Sequence, residues 1–169
     1  SLNCSMIELD CCLTKDKILI VTHGGWAIHK DKVIFVRDFN LQELIDMRIV
    51  ADSFNTCKEP ERQMPTLRFV LGSFPLFNLN IELKDKGSAW FLMNNHIFGC
   101  SHALKKRIVI SSFLVNEVAE FKKMYPEIKT AVAWDGLDFF RYTKMFSLSR
   151  TMAKSGIEGI HINRKVANK

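Results

Sequence analysis

No apolar run in this sequence approaches the roughly 20 residues that cross a bilayer, so no segment of it reads as a membrane-spanning helix. The first residues lack the basic-then-apolar order of a secretory leader. Residue 1 is Ser rather than Met, which leaves room for a segment upstream. Cysteine is scarce and unpaired in pattern: Cys4, Cys11, Cys12, Cys57 and Cys100 are odd in number and form no C-x-x-C pair. That excludes a disulfide framework and gives the expectation of reduced thiols in a cytoplasmic protein. There is no charged low-complexity tract, internal repeat or linker, so residues 1–169 read as one packed domain. Basic residues interleaved with aromatics, the pattern of single-strand nucleic-acid readers, are also missing, and no nucleic-acid partner is expected.

Basic residues are in excess, 24 against 18 acidic, for a net charge of +6, which favours an anionic partner such as phosphate or a lipid head group. The densest run, Lys105-Lys106-Arg107, and the tail residues Arg164, Lys165 and Lys169 read as solvated ends of elements, with cations near helix C-termini. His96, Cys100 and His102 lie on one predicted helix without a fourth ligand, and read as a polar helix face rather than a zinc site.

Strand and helix patterns alternate along the chain. An opening hairpin through Thr14-Lys15-Asp16-Lys17 is followed by a short helix at residues 40–44 and a helix starting at Met64-Pro65-Thr66-Leu67, with residues 51–64 as a long loop. A strand is predicted from Leu79 to Lys84, an amphipathic stretch from Ser88 to Leu104 and a strand over residues 108–111. Then follow a helix from Val115 to Met124, a strand from Ile128 to Trp134, a helix between Leu137 and Lys154 ended by Gly156, and a strand from Ile157 to Ile162. Helices between successive strands imply parallel βαβ units, in a doubly wound sheet or a (β/α) barrel.

The strand faces carry the functional signal. Alternation puts Ile7, Leu9 and Cys11 on one face and Glu8 and Asp10 on the other. It likewise sets Leu79, Ile81 and Leu83 against Asn80, Glu82 and Lys84. A side that turns ionisable toward its C-terminal end is what a barrel mouth requires. A two-residue turn at Asp16-Lys17 would pair Asp10 with His23, and a three-residue turn would pair Leu9 with His23. Either register brings the imidazole to the two carboxylates. Buried acids of this kind need a compensating cation or ligand.

The segments Ile7-Glu8-Leu9-Asp10, Leu13-Thr14-Lys15-Asp16 and Ile20-Val21-Thr22-His23 resemble the E-x-D, x-T-K-D and V-V-x-H-D pattern of glycerophosphodiester phosphodiesterases. Met64-Pro65-Thr66-Leu67, Asn80-Ile81-Glu82-Leu83-Lys84 and Ile110-Ser111-Ser112-Phe113 resemble three later motifs, in the same order. The resemblance implies a (β/α)8 TIM barrel and hydrolysis of glycerophosphodiesters to glycerol 3-phosphate and an alcohol. By matching position it implies Glu8, Asp10 and Glu82 as ligands of Mg²⁺ or Ca²⁺, His23 as an acid/base histidine and Lys84 as a contact to substrate phosphate. The substrate would be a small phosphodiester or a lysophospholipid, the latter with contact to a membrane surface.

Some of the family's parts have no counterpart here. The H-R-G and E-N segments and the closing V-x-x-W-T-V-N strand are absent, Gly24 stands where the family has Asp, and none of His29, His96, His102 or His161 matches a family histidine. Five or six strands are evident where a closed barrel has eight, so the barrel is expected to be truncated or incomplete, without its first and last strands. A non-catalytic barrel binding phosphate or phospholipid is the alternative to the enzyme.

Overall fold

The computed structural model describes residues 5–47, 64–94, 102–134 and 141–162, with the side chains of 102 and 141–146 left aside. Its strands are β1 (Ile7–Leu13), β2 (Leu19–Val21), β3 (Trp26–His29), β4 (Lys32–Phe35), β5 (Leu79–Leu83), β6 (Ile108–Ser112), β7 (Lys129–Trp134) and β8 (Gly159–Ile162). The helices are α1 (Leu41–Asp46), α2 (Leu67–Ser73), α3 (Ser88–Asn94), α4 (His102–Arg107), α5 (Val115–Met124) and α6 (Arg141–Ser155). Six strands form one sheet in the order β2-β1-β5-β6-β7-β8, parallel throughout except for β2, and β3 and β4 form a separate ribbon.

Alternation along the strands builds the core on the helix side of the sheet. Cys11, Leu79, Ile81, Leu83, Ile108 and Ile110 pack there with Leu67 of α2, Leu92 of α3 and Phe121 of α5. The opposite side carries the row Asp10, Glu82, Ser111, Ala131 and Gly159, one residue from each of five parallel strands in register. In a flat sheet β8 would lie about 14 Å from β5, three strand spacings away. His161 Nδ1 on β8 nevertheless stands 3.3 Å from Asn80 Nδ2 on β5. The sheet is therefore curled around this polar face as a barrel wall is.

The opening hairpin takes the three-residue turn. Leu13 pairs with Leu19 and Cys11 with Val21, so Thr22 N donates to Asp10 O and the two-residue register is not adopted. The reason lies in the turn. Lys17 takes a left-handed φ of 66°, the Thr14 hydroxyl donates to Asp16 Oδ1, and Ile18 N donates back to Thr14 Oγ1, which closes the longer loop.

The ribbon of β3 and β4 was not legible as strands in the sequence. It follows two glycines and turns on Lys30-Asp31, both with positive φ. Ala27 and Ile34 face a small core with Ile20, Val36, Leu44 and Met64, which fixes it beside the sheet. The predicted stretch from Ser88 to Leu104 contains two helices, α3 and α4. The predicted 51–64 loop lies outside the described residues apart from Met64, which is buried.

Glu117 of α5 is buried, and its carboxylate accepts from Gly87 N and Ala89 N at 2.7 and 3.0 Å, closing the N-terminus of α3 just after β5. Replacing it by Leu leaves two N–H groups unmatched, that of Ala89 buried and that of Gly87 partly so. The expected loss is about 2–3 kcal/mol, a fall of the melting midpoint on the order of 4–12 °C. Glu117→Gln, which keeps one acceptor, should lose less in the same thermal melt. Equal midpoints for all three proteins would contradict the role.

Candidate metal and phosphate site

The functional face of the sheet is built by β1 and β5, neighbours in the sheet although distant in sequence, and by the residue that follows β5. β1 brings Glu8 and Asp10, β5 brings Glu82 in register with Asp10, and Lys84 follows β5 directly, its N–H donating to Cys11 O at 3.0 Å. One carboxylate oxygen from each of Glu8, Asp10 and Glu82 lies within 4.8 Å of the others. Lys84 Nζ sits between two of them, 2.9 Å from Asp10 Oδ1 and hydrogen-bonded to Glu82. The same ammonium lies 5.4 Å from the centre of the Phe113 ring. His23 reaches the group from beyond the end of β2, with Nδ1 3.1 Å from Asp10 Oδ2. All five residues singled out in the sequence thus meet on this face, Asp10, Glu82 and Lys84 toward the C-terminal end of the β1–β5 pairing and Glu8 two residues before Asp10.

Charge is unbalanced here. Three ionised carboxylates at this spacing repel by on the order of 3 kcal/mol per pair at an effective dielectric constant of 20, and Lys84 supplies one positive charge. The imbalance appears at Glu8, whose carboxyl is raised to about 7 by burial, then by the charge of Asp10, the hydrogen bond to Asp10 and the charge of Glu82. Burial lowers the Lys84 pKa, but its bonds to Glu82 and Asp10 outweigh that and raise it overall. Hard oxygen donors and excess negative charge fit Mg²⁺ or Ca²⁺. His23 is 69% exposed, and with Nδ1–H given to Asp10 its Nε2 is left free to take a proton.

A cleft of about 280 Å³ adjoins the group, lined by His23, Gly24, Gly25, Phe35, Arg37 and Lys84 among others. Gly24 and Gly25 have φ of 76° and 67°. A Cβ on Gly24 would lie 2.8 Å from the Trp26 indole nitrogen, and one on Gly25 3.1 Å from Cys12 Sγ. Glycine in place of the family's Asp is thus what this turn can hold. The neighbouring thiols are buried, with Cys11 raised well above the thiol range and Cys12 pushed up to about 12 by burial first, so neither is a nucleophile.

Two residues of this face were not found from the sequence. Arg37 follows the unrecognised ribbon and stacks over Phe35, 5.0 Å from the ring centre, at the cleft. His161 on β8 shares the inner face with Gly159, a parity the sequence carries but which means nothing until the sheet is known to curl. His29 ends β3 on the ribbon. His96 and Cys100, and the side chain of His102, lie outside the described residues.

The sequence profile of the glycerophosphoryl diester phosphodiesterase family matches residues 1–167. The chain belongs to this family. YhdW of Bacillus subtilis, whose name assigns it provisionally to the glycerophosphodiester phosphodiesterases, is 32% identical over 146 residues, 78% of this chain and 54% of YhdW. A glycerophosphodiester phosphodiesterase of Parabacteroides distasonis superposes with a TM-score of 0.67 at 20% identity, covering 95% of this chain and 61% of that one. An Oleispira antarctica phosphodiesterase, solved with its product sn-glycerol-3-phosphate, superposes with a TM-score of 0.63 at 16% identity, covering 98% and 85%. These likenesses establish the fold, a barrel of the (β/α)8 type that the described residues form without closing. The chain spans about half the length of the curated relative it matches.

The raised Glu8 pKa sets a direction for stability. Its folded value, about 7, lies above the ordinary 4.5, so between these pH values the folded chain holds more protons than the unfolded chain. Stability without metal should therefore fall as pH rises from about 4.5 to 7, by an amount reduced by the solvent that reaches Glu8. Urea midpoints at pH 5 and pH 7 in EDTA, for wild type and Glu8→Gln, test this. The variant should show a flatter pH dependence, and parallel curves would contradict the cause.

Proposed function

We propose that this chain carries the catalytic mouth of a metal-dependent hydrolase that cleaves glycerophosphodiesters to glycerol 3-phosphate and an alcohol, and that residues 1–169 form a single domain of it. The observation that carries the reading is the convergence of Glu8, Asp10, Glu82, Lys84 and His23 on one face of the parallel sheet, with more negative charge than the residues themselves offset. The family match and the relatives named for this activity support it.

Glu8, Asp10 and Glu82 would hold Mg²⁺ or Ca²⁺, which when bound offsets the charge of a phosphodiester and so admits it to an acidic mouth. Lys84, released from part of its pairing with Asp10 and Glu82, is positioned to contact a phosphate oxygen. His23 holds its Nδ1 proton on Asp10 and offers Nε2 to the cleft, where it can remove or return a proton at an oxygen of the scissile group. Asp10 fixes the tautomer and stabilises the imidazolium that forms.

The ribbon bears on the choice of substrate. Ile28, Val33 and Phe35 are exposed on its outer face, and Phe35 also lines the cleft. An apolar surface running into a phosphate-holding cleft supports lysophospholipids among the substrates, taken from a membrane surface. Among the described residues no helix is long and apolar enough to cross a membrane.

Hydrolysis of glycerophosphocholine by the purified chain should require added Mg²⁺ or Ca²⁺, stop in EDTA and fall about 10²–10⁴-fold in His23→Ala. Turnover unaffected by EDTA or by His23→Ala would overturn the reading. Binding of phosphate with no turnover would leave a phosphate-holding barrel module in its place.

A further inference from the structure

We propose that His161 contacts the phosphate oxygens of the ligand from the far flank of the mouth, donating through Nε2–H. The proposal rests on the reading of the mouth as a phosphodiester site and adds a residue to it. Strand parity places His161: its neighbour Ile160 packs outward with Val118, Val132, Met152 and Ile157, so His161 points to the concave side. There it meets Asn80, which pairs in register with Glu8 and precedes Glu82 by two residues on the same face. Of the described residues of β7 on this face, Lys129 stands at the start of the strand in the row of Asn80, and the two beyond it toward the mouth, Ala131 and Ala133, are small.

The hydrogen-bond chain sets what His161 offers. The buried Ser111 hydroxyl donates to Asn80 Oδ1 at 2.9 Å, which orients the amide so that Nδ2 faces His161. Asn80 Nδ2 then donates to His161 Nδ1, and the ring proton is assigned from these bonds to Nε2. The residue is exposed, so this N–H is available to a ligand. A neutral donor suits the place. It forms a charge-assisted bond to an anionic oxygen without adding a second cation beside Lys84 to compete with a metal for the carboxylates. β8 and β2 are the two ends of the curled sheet. A phosphate held at the carboxylates is therefore flanked by His23 from one side and His161 from the other.

Calorimetric titration of the whole chain with inorganic phosphate and with sn-glycerol 3-phosphate, in Ca²⁺ and in EDTA, tests this. His161→Leu should weaken binding about tenfold or more. His161→Gln, whose amide N–H can stand where Nε2–H does, should restore most of it. In glycerophosphocholine hydrolysis the Leu variant should raise KM more than it lowers kcat. Equal affinity for wild type and His161→Leu, weakening that Gln does not repair, or no phosphate binding at millimolar concentration by wild type would each overturn the proposal. Loss of turnover in EDTA with an unchanged KM in His161→Leu would overturn this proposal and spare the hydrolase. His161-dependent phosphate binding without any cation-dependent turnover would do the reverse.

Discussion

Three carboxylates gathered around one point, with a single lysine among them, are the constraint on which the rest of this structure depends. Folding brings Glu8, Asp10 and Glu82 together because β1 and β5 pair in parallel with Asp10 opposite Glu82. The apolar alternates of the same strands, Cys11, Ile81 and Leu83, are fully buried against the helices, so the strands cannot slip by one residue without exposing that core. The hydrophobic core thus holds in place a charge cluster that would otherwise separate. Lys84 offsets part of the repulsion, the rest raises the Glu8 pKa, and a divalent cation would offset it directly.

The surrounding residues follow from that cluster. Asp10 is shared between Lys84 and His23, which ties the position of the imidazole to the state of the carboxylates. The two left-handed glycines after His23 bring the chain across the mouth with no side chain between Trp26 and Cys12, and this leaves the cleft open. On the far side, curling of the sheet delivers Asn80 and His161, with small residues on β7 making the room.

Much of this was legible in the sequence because it rests on period-two alternation. The inner and outer faces of β1 and β5 can be assigned from Glu8, Asp10, Asn80 and Glu82 alone. The motifs then place His23 and Lys84 with them. Turn chemistry was harder to read: Thr14 and Asp16 close a loop of three residues, a local hydrogen-bond preference that counting residues does not reveal. The ribbon escaped because its strands are four residues each and its turn uses Lys30-Asp31 rather than Asn-Gly. His161 escaped for a different reason. Its role depends on curvature of the whole sheet, which brings strands three apart into contact and is not a property of any local pattern.

The central claim is that the mouth is a divalent-cation site, and diffraction from crystals grown with Mn²⁺ tests it most directly. An anomalous peak among the Glu8, Asp10 and Glu82 carboxylates, with Lys84 Nζ drawn away from at least one of them, is the expected result. A map with no peak there, and Lys84 still bonded to both Asp10 and Glu82 at saturating Mn²⁺, would contradict the account.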